Sequence, residues 1–227
     1  MPSKLKEFIL DLLFPKFCLN CRKEGTYLCV DCAELLEITG FHQPAHLASL
    51  ADLYFAVNYQ NPLVQNLIKN FKYEPFVKEL SQTIASLIIK HFQLMDNRPA
   101  FHPAINVNNQ ANFAFIPVPL HRSRLKWRGF NQAEEICKNL AEFFQLPVIN
   151  HCLIRIKKTS PQTELTGSAR KENIKNAFSV KNKELIKNKN IILVDDVYTT
   201  GATLQECSRV LKQAGAQKVI GLVFARD

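Results

Sequence analysis

The stretch that most limits how this chain can fold is Ile191-Ile-Leu-Val-Asp195-Asp196-Val-Tyr-Thr199-Thr200-Gly201-Ala202-Thr203. Four consecutive apolar residues predict a strand covered on both faces, which in practice means a parallel sheet flanked by helices. Two carboxylates follow at the strand's carboxyl end, and a Thr-Thr-Gly-Ala-Thr turn opens a helix predicted over 204–214. The first N–H groups of a helix have no intrahelical acceptor and carry partial positive charge, so this turn is a ready cradle for an anion. Gly201 allows close backbone approach, and Thr199, Thr200 and Thr203 add hydroxyl donors beside Ala202. Asp195 and Asp196 can accept hydrogen bonds from neighbouring hydroxyls of a sugar. A ribose 5-phosphate unit therefore fits, with phosphate in the turn and diol on the acids. An ordinary strand, turn and helix with an N-capping threonine and solvated aspartates produces the same pattern.

Apolar and polar periodicity elsewhere agrees with an α/β chain. Strands are predicted at Leu53–Tyr59, Phe113–Pro117, Cys152–Ile156, Ile191–Val194 and Lys218–Phe224. Helices are predicted over 61–72, 76–93 and Asn131–Gln145, with a short one at Ala169–Asn176 and polar loops over 94–112 and 157–172. Leu5, Phe8, Ile9, Leu12 and Leu13 make an amphipathic helix that ends before Pro15, either packed on the body of the protein or lying on a membrane surface. Asp11 interrupts its apolar run and no small-residue cleavage site follows, so it does not read as a signal peptide. No run in the 227 residues approaches the ~20 apolar residues of a membrane span. With 29 Lys and Arg against 20 Asp and Glu, the net charge of +9 favours phosphate-rich partners without naming one.

Four of the seven cysteines fall in Cys18-Leu-Asn-Cys21 and Cys29-Val-Asp-Cys32, two CxxC pairs seven residues apart. Each pair can turn both sulfurs inward, and two such turns form the tetrahedral thiolate cage of a structural Zn²⁺ with no open position. The remaining cysteines, Cys137, Cys152 and Cys207, read as small buried hydrophobes. An odd, uneven set of this kind belongs to a reduced compartment, so the chain is expected to be cytoplasmic.

Two basic segments stand beside predicted strand ends. In Pro117-Val-Pro-Leu-His121-Arg122-Ser-Arg124-Leu-Lys126-Trp127-Arg128-Gly129-Phe130-Asn131, the guanidinium groups of Arg122, Arg124 and Arg128 can clamp diphosphate oxygens alongside Mg²⁺. Trp127 can stack on a nucleic-acid base or tuck into the core. Asn131 is placed to cap the helix that follows. The second segment, Lys157 to Asn173, reads either as a lid closing over an anion or as a surface excursion. For an acceptor, Phe55, Tyr59, Phe71 and Tyr73 can stack on a base or serve the core.

The 191–203 stretch resembles the thirteen-residue phosphoribosyl diphosphate (PRPP) motif of type I phosphoribosyltransferases at every defining position. The resemblance implies PRPP binding with Mg²⁺ and transfer at the sugar's anomeric carbon with diphosphate leaving, Asp195 and Asp196 serving the catalytic site. Purine-salvage members usually carry an aspartate where this chain has Thr199, so a hypoxanthine- or guanine-type reaction is not implied.

Four blocks in order, from the four-cysteine ribbon through PVPLHRSRLKWRGFNQAE and SPQTELTGSARKENIKNAF to the PRPP motif, are similar to the ComF family of competence-associated, phosphoribosyltransferase-like proteins. That likeness implies an α/β, parallel-sheet type I phosphoribosyltransferase-like domain over 50–227, preceded over 1–38 by a helix and a small zinc ribbon. It also implies a cytoplasmic role in natural transformation, handling incoming single-stranded DNA beside a helicase-like partner and recombination proteins. Two functions stay open: a Mg²⁺-dependent transferase with an unnamed acceptor, or a non-catalytic single-stranded DNA module that keeps a phosphoribosyl pocket. A purely structural zinc adaptor leaves the acidic pair unexplained.

Overall fold

The computed structural model describes residues 15–40, 42–47, 49–95, 112–158 and 172–227. The expected helix before Pro15, most of the 94–112 loop and the middle of the second basic segment lie outside the described residues.

Five strands form one sheet in the order β1 (His42–Leu47), β2 (Leu50–Asn58), β7 (Lys218–Arg226), β6 (Asn190–Tyr198) and β3 (Phe113–Pro117). β2, β7, β6 and β3 are mutually parallel, and β1 adds an antiparallel edge. Ile191 to Val194 have no exposed surface, as expected of a strand covered on both sides. One face carries α2 (Pro62–Lys72), α3 (Leu80–Gln93) and α5 (Gln132–Phe144), whose Leu67, Ile84, Ile88 and Leu140 pack with Ile192 and Val194. The other carries α6 (Ala202–Gln213) and a small antiparallel pair, β4 (Leu153–Arg155) with β5 (Phe178–Val180), around Ile191 and Leu193.

Connectivity decides where a ligand can sit. From β3 the chain runs through α5 to Val148, which bridges to Phe115 on β3. From β6 it runs through α6, on the opposite face, to β7 on the other side. The order therefore reverses between β3 and β6, and the crevice at the carboxyl ends of those two strands is the usual ligand position in such sheets.

Several expected elements shift. The helix predicted over 76–93 begins at Leu80, because Phe76 has a left-handed φ of 53°, which no helix residue adopts. The basic stretch after β3 is itself a short helix, α4 (Arg122–Arg128), with no buried residue. It is held by His121, whose Nδ1 accepts from the Ser123 N–H at 3.3 Å, and by left-handed Gly129 at its end. β6 extends to Tyr198, past the predicted Val194, so both aspartates are strand residues. Of the predicted short helix at 169–176, residues 172–174 are helical. Cys137, Cys152 and Cys207 are buried, as expected. No helix among the described residues is long and apolar enough to cross a membrane.

Candidate phosphoribosyl site and metal centre

Adjacent residues of a strand point to opposite faces, and that rule separates the two carboxylates. Asp196 turns toward α2 and is nearly fully buried, with Lys72 Nζ 2.7 Å from its Oδ1. Asp195 lies toward Arg155 and Cys207 on the other face, and its Oδ1 accepts from the Asp196 N–H at 2.9 Å. A ligand touching both acids must rest over the strand's carboxyl edge, at the switch point. Burial, then the charge of Asp196, pushes the Asp195 carboxyl up to about 7. Burial acts against the ammonium of Lys72, but the two aspartates outweigh it and hold its pKa above the ordinary value.

Cations surround this pair. Arg128, the last residue of α4, donates from Nη1 to Gln132 Oε1 at 2.6 Å, and Gln132 donates to the Phe71 carbonyl at 3.1 Å. Its Nε is buried without a hydrogen-bond partner, and burial lowers the Arg128 pKa against the pull of Asp196. Such an unmet donor beside a carboxylate pair is what an anionic ligand would satisfy. Arg124 stands close enough to Arg155 to depress the latter's pKa, after burial, whereas Arg122 is exposed on the first turn of α4. Trp127 is 56% exposed with its ring edge-on to Phe76, centroids 4.9 Å apart, so it does not enter the core. Asn131 caps α5 through Ala133 N–H at 3.2 Å and ties it to β3 by donating to the Val118 carbonyl at 3.0 Å.

The turn has the expected form and one unexpected neighbour. Gly201 is the N-cap of α6 with φ of 73°, and its carbonyl accepts from Gln205 N–H at 2.9 Å. A glycine N-cap offers no side-chain oxygen, so the first-turn N–H groups around Ala202 and Thr203 are not capped from there. Thr199, Thr200 and Thr203 are half-exposed. What comes close to Gly201 is the Tyr198 phenol: a Cβ at 201 would stand 2.3 Å from its Oη. Tyr198 in turn lies under the Arg226 guanidinium, 5.9 Å from the ring centroid, which also covers Phe55 at 5.3 Å. Among the residues considered for an acceptor, Phe71 is fully buried against Phe130, 5.7 Å between centroids, and Phe55 is buried under Arg226. Tyr73 is exposed and Tyr59 packs partly against the core.

Lys72, Arg155, Tyr198 and Arg226 were not legible as site residues. Each is ordinary in its own segment and comes near the acidic pair or the turn only when the sheet brings strand ends together.

At the amino-terminal end, the four sulfurs of Cys18, Cys21, Cys29 and Cys32 all lie within 4.8 Å of one another. Tetrahedral ligation at ~2.3 Å spaces sulfurs ~3.8 Å apart, so the set fits. Cys18 and Cys21 flank a tight turn, as expected, but Cys29 and Cys32 bracket the start of a short helix, α1 (Val30–Glu34). Burial raises the Cys18 thiol pKa, yet backbone N–H groups of Cys21, Cys29 and Asn20 outweigh it and bring it to about 6. Cys29 accepts from the Cys32 N–H, but burial and the adjoining thiols push it up to about 12. Four thiolates this close need a cation among them, a donor set consistent with zinc. The module is docked on the main domain: Asn66 of α2 donates to the Leu19 carbonyl at 2.8 Å, and Cys18, Cys29, Cys32 and Leu36 join the same buried cluster as Leu67.

Residues 128–227 match the phosphoribosyl transferase domain. Competence protein F of Haemophilus influenzae is 39% identical over 107 residues, 47% of each chain. DNA utilization protein YhgH of Salmonella typhi is 36% identical over 105 residues, 46% of this chain and 45% of that one. Competence protein ComFC of Streptococcus pneumoniae is 32% identical over 107 residues, 47% and 45% respectively. The matched region thus spans about half the length of these relatives. Taken with the mostly parallel sheet and the four-cysteine cluster, these matches show a phosphoribosyltransferase-type domain that is similar, over about half of the chain, to competence protein F and competence protein ComFC.

Proposed function

We propose that the crevice between β3 and β6 binds PRPP or a related ribose 5-phosphate ligand with Mg²⁺, and that the protein acts in DNA uptake in a cytoplasmic setting. One observation carries the reading: an acidic pair near the end of a central strand leads into a helix whose N-cap, Gly201, supplies no side-chain oxygen, with Arg128 and Lys72 beside the carboxylates. The 5-phosphate would take the N–H groups of the 199–203 turn, and the ribose hydroxyls would take Asp195 and Asp196. Arg122, Arg124 and Arg128 would hold the diphosphate, with Mg²⁺ sharing its charge. Any transfer would proceed by positioning and charge stabilisation of an oxocarbenium-like state, without a protein nucleophile. The role in uptake follows the names of the relatives, competence protein F and ComFC. The cysteine cluster would hold Zn²⁺ as a structural centre, since four thiolates leave no position for a substrate.

Isothermal titration calorimetry with PRPP and Mg²⁺ tests this. The wild type is expected to bind, and the double variant Asp195→Asn, Asp196→Asn is expected to lose binding. Equal affinity in both overturns the reading. Diphosphate release from PRPP then separates a transferase from a binding module. For single-stranded DNA, the net charge of +9 and exposed Arg122, Lys126 and Trp127 on α4 support contact. The expected signature is an affinity that falls steeply with salt; an affinity indifferent to salt contradicts it.

A further inference from the structure

The four sulfurs at the amino-terminal end lie close together but are not equivalent. Cys18, Cys29 and Cys32 are buried, at 0%, 4% and 4% exposure, whereas Cys21 is exposed. Cys18 Sγ accepts from the Cys29 N–H at 3.5 Å, and Cys32 Sγ accepts from Asn20 Nδ2 at 3.3 Å. An N–H aimed at a sulfur draws on the lone pairs that would attack an oxidant, so these two thiolates are shielded by bonding as well as by burial. Cys21 Sγ stands at the surface, 3.5 Å from Cys29 Sγ.

One accessible sulfur to take an oxidant, with a second sulfur beside it to displace the product, is the arrangement of a thiol redox pair. Closing the gap from 3.5 Å to a disulfide bond asks for a movement of about 1.5 Å. That movement falls to the exposed Cys21 side chain, since Cys29 is packed in the core. In a reduced compartment such a pair stays open until an oxidant arrives.

We propose that Cys21 is a peroxide-sensitive modification site, and that its oxidation joins it to Cys29 and releases the ion from the four-sulfur centre. The inference rests on the zinc reading above. The Cys21 thiolate attacks a hydroperoxide: an S–O bond forms, the O–O bond breaks, the sulfur gives up two electrons, and the departing hydroxide takes a proton and leaves as water. The Cys29 thiolate then attacks the Cys21 sulfur. An S–S bond forms, the S–O bond breaks, and a second hydroxide leaves as water with a proton from solvent. Two thiolates, one hydrogen peroxide and two protons thus give one disulfide and two waters. Cys18 and Cys32 remain, too few ligands for a structural centre. Because Cys18, Cys29, Cys32 and Leu36 pack in one cluster with Leu67, and Leu19 is tied to Asn66, release loosens the module on α2.

The test treats the full chain, purified with zinc, with an equimolar amount of hydrogen peroxide. Zinc release is followed by the absorbance of 4-(2-pyridylazo)resorcinol, and the iodoacetamide-alkylated products by tryptic mass spectrometry. Arg22 and Lys23 separate Cys21 from Cys29 in the digest. The expected result is release of about one ion per chain and a Cys21–Cys29 cross-link between two peptides. Dithiothreitol with added zinc is expected to remove the cross-link and restore the bound ion. Cys21→His keeps a four-ligand set and is expected to hold zinc but slow its release by about tenfold, since imidazole has no place on the ladder of sulfur oxidation. Cys32→His is expected to release zinc as fast as the wild type. If either variant fails to fold, the wild-type digest still decides. Zinc held through the treatment, a cross-link that leaves out Cys21 or Cys29, or release from Cys21→His at the wild-type rate overturns the proposal and leaves the zinc centre standing. A wild type that carries no zinc and takes none up overturns both.

Discussion

Replacing Asp195 by asparagine is expected to stabilise the unliganded protein, by an amount that depends on pH. The carboxyl is pushed from its ordinary 3.8 to about 7, first by burial and then by Asp196. Its folded-state pKa is therefore above its unfolded one. Between about pH 4 and pH 7 the folded protein keeps a proton that the unfolded chain releases, so stability falls as pH rises through that window and levels off above it. At ~1.4 kcal/mol per unit, the full shift corresponds to about 4 kcal/mol. Water reaches this half-exposed side chain, and solvent screening brings the expected gain at pH 8 to about 2 kcal/mol. Asparagine keeps the oxygen that accepts from the Asp196 N–H but carries no charge. Urea unfolding of both proteins at pH 4, 6 and 8 measures the difference. It is expected to be near zero at pH 4 and to grow to its full size by pH 8. Buried His91, whose pKa is lowered chiefly by burial, makes both proteins less stable in acid and cancels in the comparison. A variant equal to or weaker than the wild type at pH 8 refutes the argument, because it would mean that the carboxylate is already satisfied without a ligand.

Lys72→Met removes the cation 2.7 Å from nearly buried Asp196 and is expected to cost about 2–3 kcal/mol at pH 7 by chemical denaturation, for an uncompensated charge. Gly201→Ala places a Cβ 2.3 Å from Tyr198 Oη at a φ of 73°; a loss of about 2 kcal/mol is expected, with roughly half recovered when Tyr198 is also changed to Ala. Cys32→Ala is expected to take bound zinc, measured by atomic emission, from about one ion per chain to none, and to lower the thermal midpoint by roughly 10 °C. Zinc retained at the wild-type level would contradict the four-sulfur site.

What the sequence discloses and what it conceals divide along a physical line. Interactions between residues close in the chain were legible: Asn131 as a cap, Gly201 at the turn, the CxxC pairs, and the apolar run of β6. Helix α4 was missed because its cations carry no apolar period, and it depends on His121 and Gly129 at its two ends instead. Strand β1 was missed because His42-Gln-Pro-Ala-His-Leu47 neither alternates nor avoids proline, which only an edge strand tolerates. Lys72 shows the same limit at the site. It ends an amphipathic helix like any solvated lysine, and only the packing of α2 against β6 reveals its carboxylate partner. The opposed directions of Asp195 and Asp196 were concealed as well, since they follow from β6 continuing to Tyr198 through its ladder with β7.

The most direct measurement is a crystal structure of the protein soaked with PRPP and Mg²⁺. The account predicts the 5-phosphate within hydrogen-bond reach of the N–H groups at 200–203 and the ribose hydroxyls over the edge of β6 on both carboxylates. PRPP density elsewhere, with Lys72 still closed on Asp196 and Tyr198 unmoved against Gly201, would contradict it.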